Sequence, residues 1–205
     1  RTKALSERRS ILNDFHKNNP HSKLKISPII EFQSWKELEK VKEGSRAQKA
    51  EGIMLKRKSA TYKSGRKKGD SWKWKLEPLT LDLVMIYAQR GHGRRATLYT
   101  DFTFAAKKGD ELITLTKAYS GLTDKEFNSI NSFIKKNTLE RFGPVRSVNA
   151  TQVFEIAFEG INKSARNKSG YALRFPRIKR WRTDKPLKEI NTIEDVAEMY
   201  DEYFG

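Results

Sequence analysis

Lysines and tryptophans alternate in one short segment, Ser71-Trp72-Lys73-Trp74-Lys75. Because successive side chains of a β-strand point to opposite faces, the two lysines share one face and the two indoles share the other. Neighbouring ammonium groups repel one another unless an anion lies between them, and a phosphate is the simplest such anion. The segment therefore predicts phosphate binding on the lysine face and packing on the indole face. A solvated edge strand, which lysines also favour, is the alternative.

A second segment, Glu51-Gly52-Ile53-Met54-Leu55-Lys56, places a carboxylate and an ammonium group at the two ends of an apolar stretch. The charged ends can face a ligand while the middle packs. Since Glu51 and Lys56 are five positions apart, they point to opposite faces of an ideal strand, and a bend or bulge is needed if both face one site. A strand with solvated ends is the alternative.

A third segment, Arg174–Lys185, holds six cations in twelve residues, interleaved with Phe175 and Trp181. Guanidinium groups bind phosphate through paired hydrogen bonds, and aromatic rings stack on bases. The segment therefore predicts a phosphate-rich ligand. A generic basic patch that binds nucleic acid is the alternative.

The composition agrees with a polyanionic partner. The 205 residues include 42 Lys and Arg against 25 Asp and Glu, for a net charge of +17, and the positive charge is spread over the whole chain rather than lining one amphipathic helix. The absence of cysteine excludes a disulfide scaffold and a thiolate zinc site, so any metal must be held by carboxylates, phosphates or water. Without a membrane span or an apolar signal core, the sequence predicts an intracellular protein of the cytoplasm or nucleoid.

Hydrophobic periodicity and turn residues predict the elements that position these segments. Helices are predicted at 4–18, 34–50, 123–142 and 191–205. Strands are predicted at 24–32, 52–58, 72–78, 79–90, 94–106, 110–120, 153–161 and 171–181. From residue 79 onward, strands interrupted by one helix after the third strand are the order expected of an OB-fold barrel, although other small barrels also fit. We place the domain boundary near Pro78, which divides the chain into 1–78 and 79–205.

In this order and spacing, the three segments resemble the C-terminal portion of ATP-dependent DNA ligases. EGIMLK is similar to the family's motif IV, WKWK to motif V and RFPRIKRWRTDK to motif VI. The upstream stretch ERRSILNDF is similar to the helix that precedes motif IV in many members. The stretches FGPVRSV, VFEIAFEGI and NKSGYALRFPRI resemble the OB domain of a bacterial or archaeal-type branch. The resemblance implies an α+β chain: the C-terminal part of a nucleotidyltransferase (ATP-grasp-like) domain, followed by an OB-fold barrel with one inserted helix and a C-terminal helix.

The resemblance also implies a reaction. Such ligases react a lysine with ATP to form a lysyl adenylate, pass AMP to the 5′-phosphate of a nick in double-stranded DNA, and let the 3′-hydroxyl displace the AMP. ATP, Mg²⁺ (or Mn²⁺) and nicked DNA are therefore the expected cofactors and partners, and no membrane is involved. These steps are phosphoryl transfers, in which catalysis is mainly positioning and electrostatic stabilisation.

Site residues follow from the matched motifs. The resemblance implies that Glu51 holds the divalent metal and that Lys75 neutralises the α-phosphate. It implies nucleotide contacts for Lys56, Lys73 and either Arg66 or Lys67, between which the sequence does not choose. The motif VI candidates for orienting the β- and γ-phosphates during the first step are Arg174, Arg177 and Lys185. Those contacts should be lost when the OB domain swings to clamp DNA, with Pro78 as a hinge region or a simple linker.

The chain departs from the family because the K-x-D-G tetrapeptide of the adenylated lysine does not occur, and the family's upstream carboxylate motif and the aromatic residue that stacks on adenine are missing as well. We therefore expect a fragment that lacks the catalytic nucleophile, does not adenylate itself, and has a missing N-terminal half of the same protein as a possible partner. One alternative is a capping-type guanylyltransferase, which shares the domain plan. Another is an OB-type nucleic-acid-binding module without catalysis, which would have no need of Glu51.

Overall fold

Two helices and one β-hairpin form the first of two units into which the chain divides, Arg1–Leu76. The computed structural model describes residues 1–93, 96–119 and 121–205. The elements of the first unit are α1 (Leu5–Asn18), α2 (Trp35–Glu43), a 3₁₀ turn (Arg46–Gln48), β1 (Gly52–Lys56) and β2 (Ser71–Lys75). Both predicted strands of the hairpin are confirmed, and they pair antiparallel.

Helix α2 begins where the sequence predicts and ends earlier. The Ser34 hydroxyl accepts a hydrogen bond from the Glu37 backbone N–H at 3.2 Å, which satisfies one of the free donors of the first turn. The Glu37 carboxylate accepts from the N–H of Gln33 at 2.8 Å, one residue before the cap. The helix ends at Glu43 rather than continuing to residue 50, since Gly44 follows as its C-terminal cap. Its buried residue, Leu38, packs the helix into the unit.

The strand predicted at 24–32 does not form, and that prediction is wrong. Pro28 lacks a backbone N–H, and a strand needs a neighbour to satisfy its remaining donors and acceptors. Among the described residues no strand pairs with this segment, and Ile29, Ile30 and Phe32 are exposed.

The second unit, Glu77–Gly205, contains a curled antiparallel sheet and two helices. Its strands are β3 (Leu79–Arg90), β4 (Tyr99–Lys108), β5 (Glu111–Ala118), β6 (Thr138–Phe142), β7 (Val145–Val148), β8 (Val153–Phe158), β9 (Gly160–Lys163), β10 (Tyr171–Arg174) and β11 (Arg177–Trp181). Its helices are α3 (Asp124–Lys136) and α4 (Ile193–Tyr203), with a 3₁₀ turn at Leu187–Glu189.

Strand β3 is the centre of this sheet, whose order is β11-β8-β3-β4-β5. The first half of β3 pairs with β8 and its second half pairs with β7, so the strand changes partner as it curls. The hairpin of β9 and β10 brings β10 against β5, at the other edge. This arrangement curls the sheet around one core.

Both faces of β3 are covered, which explains its continuous apolar sequence. Leu81, Leu83 and Met85 point into the main core, where buried residues of α3 and α4 also pack. On the outer face, Val84 lies in a second cluster that includes Ile190 from the segment before α4. A polar residue on this outer face, Asp82, is consequently almost fully buried as well.

The OB-fold prediction is confirmed in its main features: three consecutive strands, a helix, further strands of the same sheet and a C-terminal helix. The third helix is shorter than predicted. It ends at Lys136, where Asn137 caps it through a hydrogen bond from its side-chain amide to the Phe133 carbonyl at 2.9 Å. The residues 138–142 form strand β6 instead. Of the predicted strands, Arg94, Arg95 and Ser120 lie outside the described residues.

None of the helices that the structure describes has the length and apolar character needed to cross a bilayer.

Candidate phosphate-binding site

The hairpin of β1 and β2 carries the first group of predicted site residues. Its register pairs Gly52 with Lys75, Ile53 with Trp74, Met54 with Lys73, Leu55 with Trp72 and Lys56 with Ser71. Directly opposed residues share a face, so the register places Lys56, Lys73 and Lys75 on one face, as predicted for the two motif V lysines. All three are exposed, and the exposed Met54 lies among them. The hairpin therefore offers three ammonium groups on one surface.

The opposite face of the hairpin is held by aromatic contacts. The ring of Trp74 lies edge-on to that of Trp35 at 6.2 Å between centroids, and the Lys42 ammonium lies 4.9 Å from the Trp74 ring. Both partners belong to α2. Trp72 is more exposed, and the Arg57 guanidinium lies 5.9 Å from its ring. The indole face thus fixes the hairpin against its own unit and leaves the lysine face open.

Glu51 lies beside Lys75 rather than Lys56. Its carboxylate is 3.0 Å from the Lys75 Nζ, with both side chains about one-third exposed. Strict alternation would place Glu51 on the indole face, but the backbone turns at Gly52, where φ is +137°. A bend of this kind is what Glu51 and Lys56 would need to face one site, and it brings the predicted metal ligand beside the predicted α-phosphate ligand. Lys56 lies at the far end of β1, four residues beyond Gly52, which is roughly 13 Å along the strand.

The loop between β1 and β2 carries Arg66 and Lys67. Both are exposed and stand between two glycines with positive φ, Gly65 and Gly69. The structure does not favour one of the two cations over the other. At the end of the loop, Asp70 accepts a hydrogen bond from Lys63 at 2.5 Å, which fixes the point where the loop joins β2.

A divalent metal can be held here only with the help of other ligands. None of the described residues belongs to a group of three or more His, Asp or Glu side chains that could hold a metal ion. Mg²⁺ commonly binds one or two carboxylates and completes its shell with water and substrate phosphates. The single carboxylate of Glu51, next to a lysine suited to phosphate, fits that mode of binding.

The second group of predicted residues lies in the other unit, at the turn between β10 and β11. The Arg174 guanidinium lies 5.2 Å from the ring of Phe175, which is exposed and has a positive φ of 52°. Arg177 donates a hydrogen bond to the Glu159 carboxylate at 3.0 Å. Arg174 therefore lies against an exposed aromatic ring, and Arg177 is neutralised by a carboxylate.

Lys185 lies apart from these two arginines, beyond the opposite end of β11. It belongs to a short cationic segment, Lys179–Lys185, which we call the cation arm. The Lys185 ammonium donates to the Asp82 carboxylate at 2.6 Å, and Arg182 donates to the same oxygen at 2.9 Å. Motif VI thus forms two separate groups of cations.

Glu155 receives the other two cations of the arm, Lys179 at 3.0 Å and Arg180 at 2.8 Å. Burial raises the pKa of Glu155, but the hydrogen bonds from these cations outweigh it, so that the pKa lies below its usual value. The hydrogen bond from Arg182 likewise lowers the pKa of Asp184 to about 2. The arm is therefore fixed by ionised carboxylates.

The pairing of Asp82 and Glu155 with cations such as Arg182 was not predicted from the sequence. The signal was present: a single carboxylate stands inside each of the apolar strands LTLDLVMI and VFEIAF. Buried carboxylates need partners, and motif VI contains cations to which no role was assigned. The separation of Asp82 from Arg182 by 100 residues hid the pairing.

An open groove of about 520 Å³ lies on the curled sheet, lined by threonines of β4 and β5 and by residues of the loop between β9 and β10. Its cations are Lys117, Arg166 and Lys168. Hydroxyl groups and cations together suit a phosphate backbone. The sequence pattern alone does not indicate this groove.

Two family models match the chain in succession. The one described as "ATP dependent DNA ligase domain" matches residues 2–75, and the one described as "ATP dependent DNA ligase C terminal region" matches residues 95–185. One match falls in each of the two units.

Relatives and solved structures agree with these matches. A probable DNA ligase from Koribacter versatilis is 40% identical over 93% of this chain and 33% of its own length. A DNA ligase from Methanococcus aeolicus is 37% identical over 92% of this chain and 34% of its own length. A solved Lig E DNA ligase has a TM-score of 0.61 at 19% identity, over 88% of this chain and 59% of that one, which shows a shared fold. The chain spans about a third of the length of the curated relatives it matches.

Proposed function

Because this chain belongs to the ATP-dependent DNA ligase family, we propose that it is the nucleotide- and DNA-binding part of an enzyme that seals nicks in double-stranded DNA. The observation that carries the proposal is the lysine face of the β1–β2 hairpin, with Glu51 paired to Lys75 at its edge. A surface of three ammonium groups and one carboxylate suits a nucleotide polyphosphate and a metal ion together.

Each hairpin residue has a role in this proposal. Lys75 neutralises the α-phosphate of ATP, and Lys56 and Lys73 contact the nucleotide. Arg66 or Lys67 adds a further cation from the loop. Glu51 holds Mg²⁺ or Mn²⁺, which when bound supplies positive charge against the phosphoryl group being transferred. The lysine that accepts AMP is proposed to lie in the part of the protein that these 205 residues do not include, since they contain no K-x-D-G.

The motif VI cations act on the leaving group in the proposal. Arg174 and Arg177 from the β10–β11 turn and Lys185 from the cation arm orient the β- and γ-phosphates during adenylation. In the structure, Arg177 and Lys185 are paired with Glu159 and Asp82. Phosphate binding therefore exchanges one anionic partner for another.

DNA binding is assigned to the groove on the curled sheet. Its three cations can neutralise backbone phosphates, and this electrostatic contribution dominates the affinity for duplex DNA. This assignment also describes a binding module without catalysis, so the groove alone does not separate the two functions.

The deciding experiment replaces Glu51 by Ala in the complete protein. We expect nick sealing to fall by about 100-fold or more, because the residue holds the metal that stabilises phosphoryl transfer, while affinity for nicked duplex DNA stays within about twofold. Sealing is measured with a labelled nicked duplex, and affinity by fluorescence anisotropy. The matched control is Glu31→Ala, an exposed carboxylate of the same unit.

Sealing that survives Glu51→Ala unchanged would refute the metal role. A complete protein that binds DNA but forms no lysyl adenylate with ATP would instead identify a binding module. The 205-residue chain alone is expected to form no covalent adenylate.

A further inference from the structure

Two buried carboxylates face one another across neighbouring strands of the second unit. Asp82 of β3 is directly opposite Glu155 of β8, and the two residues are 9% and 8% exposed. Like charges in this position destabilise a sheet, and buried charges need partners. The pair can be tolerated only because cations cover it.

The cation arm provides that cover. Its four cations, Lys179, Arg180, Arg182 and Lys185, all bind Asp82 or Glu155, and Arg182 also binds Asp184. The four positive and three negative side chains leave the cluster with one net positive charge. An arm rich in lysine and arginine is thus nearly neutral in this arrangement.

The two oxygens of Asp82 differ in their surroundings. Oδ2 accepts from both Arg182 and Lys185. Oδ1 is buried and accepts no hydrogen bond from any residue that the structure describes. An unsatisfied buried oxygen is costly, so Asp82 holds the two cations in an arrangement that a better anion can replace.

The two cations are not equally available to such an anion. The Arg182 guanidinium donates to Asp82 on one side and to both oxygens of Asp184 on the other, so its donors are largely occupied. The Lys185 ammonium has three protons, of which one is directed at Asp82. Lys185 can therefore bind a phosphate by exchange, while Arg182 keeps the arm in place.

We propose that Asp82 is a positioning residue that acts as an internal counter-anion, holding Lys185 until a polyphosphate displaces it and recapturing Lys185 when pyrophosphate leaves. The inference rests on the proposed function, in which Lys185 orients the β- and γ-phosphates. In addition, Asp82 competes with those phosphates for Lys185 within the same unit. Asp82 thereby weakens polyphosphate binding and makes it reversible.

The experiment measures polyphosphate binding to the 205-residue chain. The chain is labelled with 5-fluorotryptophan and titrated with inorganic tripolyphosphate, following the ¹⁹F resonance of Trp181 and assigning it with Trp181→Phe. Trp181 is a suitable reporter because it lies in the arm, stacked on Phe154 at 5.8 Å with an interplanar angle of 8°.

Asp82→Asn should bind tripolyphosphate about fivefold more tightly than the unaltered chain, because it removes one negative charge next to Lys185. Asparagine has the same shape as aspartate and keeps one acceptor oxygen at this position. Asp110→Asn is the matched control, since it changes the net charge equally at an exposed turn, and it should change the affinity by less than about twofold.

Equal or weaker binding by Asp82→Asn would overturn the proposal, as would an equal gain in Asp110→Asn or a Trp181 resonance that responds in neither chain. A purely structural Asp82 predicts a looser arm and weaker binding, the opposite sign. Should Asp82→Asn fail to fold, Lys185→Gln decides: it should bind at least about fivefold more weakly, and the exposed Lys188→Gln should not. Unchanged binding by Lys185→Gln would also overturn the proposal.

Failure of this inference and failure of the proposed function give different results. Tripolyphosphate binding needs neither a nucleophilic lysine nor a nick. A fivefold gain in Asp82→Asn together with no sealing by the complete protein would leave the counter-anion role intact and remove the ligase assignment. Sealing by the complete protein with no gain in tripolyphosphate affinity in Asp82→Asn would leave the ligase assignment intact and remove the counter-anion role.

Discussion

Carboxylates next to cations decide what the candidate site can do. Glu51 forms an ion pair with Lys75, Glu159 with Arg177 and Asp82 with Lys185. A phosphate that binds any of these cations must compete with a carboxylate or share the cation with it. The Glu51–Lys75 pair is partly exposed, and exposed ion pairs contribute little to stability, so the strength of this pair does not prevent the exchange.

The buried pairs give the second unit a characteristic response to acid. The pKa of Glu155 is lowered in the folded chain, because hydrogen bonds from Lys179 and Arg180 outweigh the effect of burial. A carboxylate whose pKa is lower in the folded state stabilises the fold above its unfolded pKa, and that contribution is lost as the pH falls through the folded value. We expect the Tm to fall as the pH is lowered from about 5 towards 3, and less steeply in Glu155→Gln.

The measurement is thermal unfolding followed by circular dichroism at several pH values. Glu140→Gln, an exposed carboxylate of β6, serves as the control and should keep the full pH dependence. A pH dependence identical in Glu155→Gln and the unaltered chain would contradict the assignment.

Among the elements, the β1–β2 hairpin depends on one glycine. At Gly52 the φ of +137° is rarely adopted by other residues, and a Cβ atom would lie 2.3 Å from the Trp74 carbonyl oxygen. The close approach of the two strands and the turn that directs Glu51 towards Lys75 both require a residue without a side chain. Backbone geometry therefore controls the position of the proposed metal ligand.

Gly52→Ala should open the hairpin at this end. We expect a loss of about 2–3 kcal/mol in the local free energy of opening, from the clash and the unfavourable φ together. The loss is measured by amide hydrogen exchange of β1 and β2. Gly65→Ala is the matched control: its φ is also positive, but no atom lies within 4 Å of the added Cβ, so about 1 kcal/mol is expected. Equal effects at the two glycines would show that the close approach is unimportant.

For the whole molecule, the net charge of +17 favours a polyanionic partner, for which DNA is proposed. Many of the cations near the proposed nucleotide site are paired with carboxylates, whereas Lys117, Arg166 and Lys168 line an open groove. Counterion release links each phosphate contact to the salt dependence of binding. The groove should therefore contribute measurably to the slope of log K against log salt concentration.

Lys168→Gln tests this contribution. Replacing one phosphate-binding lysine should reduce the salt slope for duplex DNA by about 1 and weaken binding equally for different sequences. Fluorescence anisotropy at several salt concentrations gives the slope. Lys188→Gln removes the same charge from an exposed position outside the groove and should leave the slope unchanged. Equal slopes for both variants would remove the groove from the DNA surface.

The sequence predicted the hairpin face correctly because alternation along a strand is a local property. The lysines of β2 share a face whatever the rest of the chain does. The helix caps at Ser34 and Thr123 were predictable for the same reason, since each involves residues three positions apart.

What the sequence could not predict depends on contacts between distant residues. The segment 24–32 has the composition of a strand but no partner among the described residues, and residues 138–142 follow a helical pattern yet pair with β7. Asp82 and Lys185 are separated by 103 residues, so only the fold reveals that they meet. The predicted nucleotide contacts of the motif residues remain predictions.

The backbone conformation of Phe175 affects how this protein can be made more stable. A phenylalanine with a φ of 52° costs about 1–2 kcal/mol of backbone energy, and its ring gains little in return because it is 67% exposed. Substitution by glycine or asparagine would be selected in a screen for thermostability. Such a screen would remove the exposed ring beside Arg174, so at this residue heat resistance is in conflict with the proposed role of Arg174 in phosphate binding.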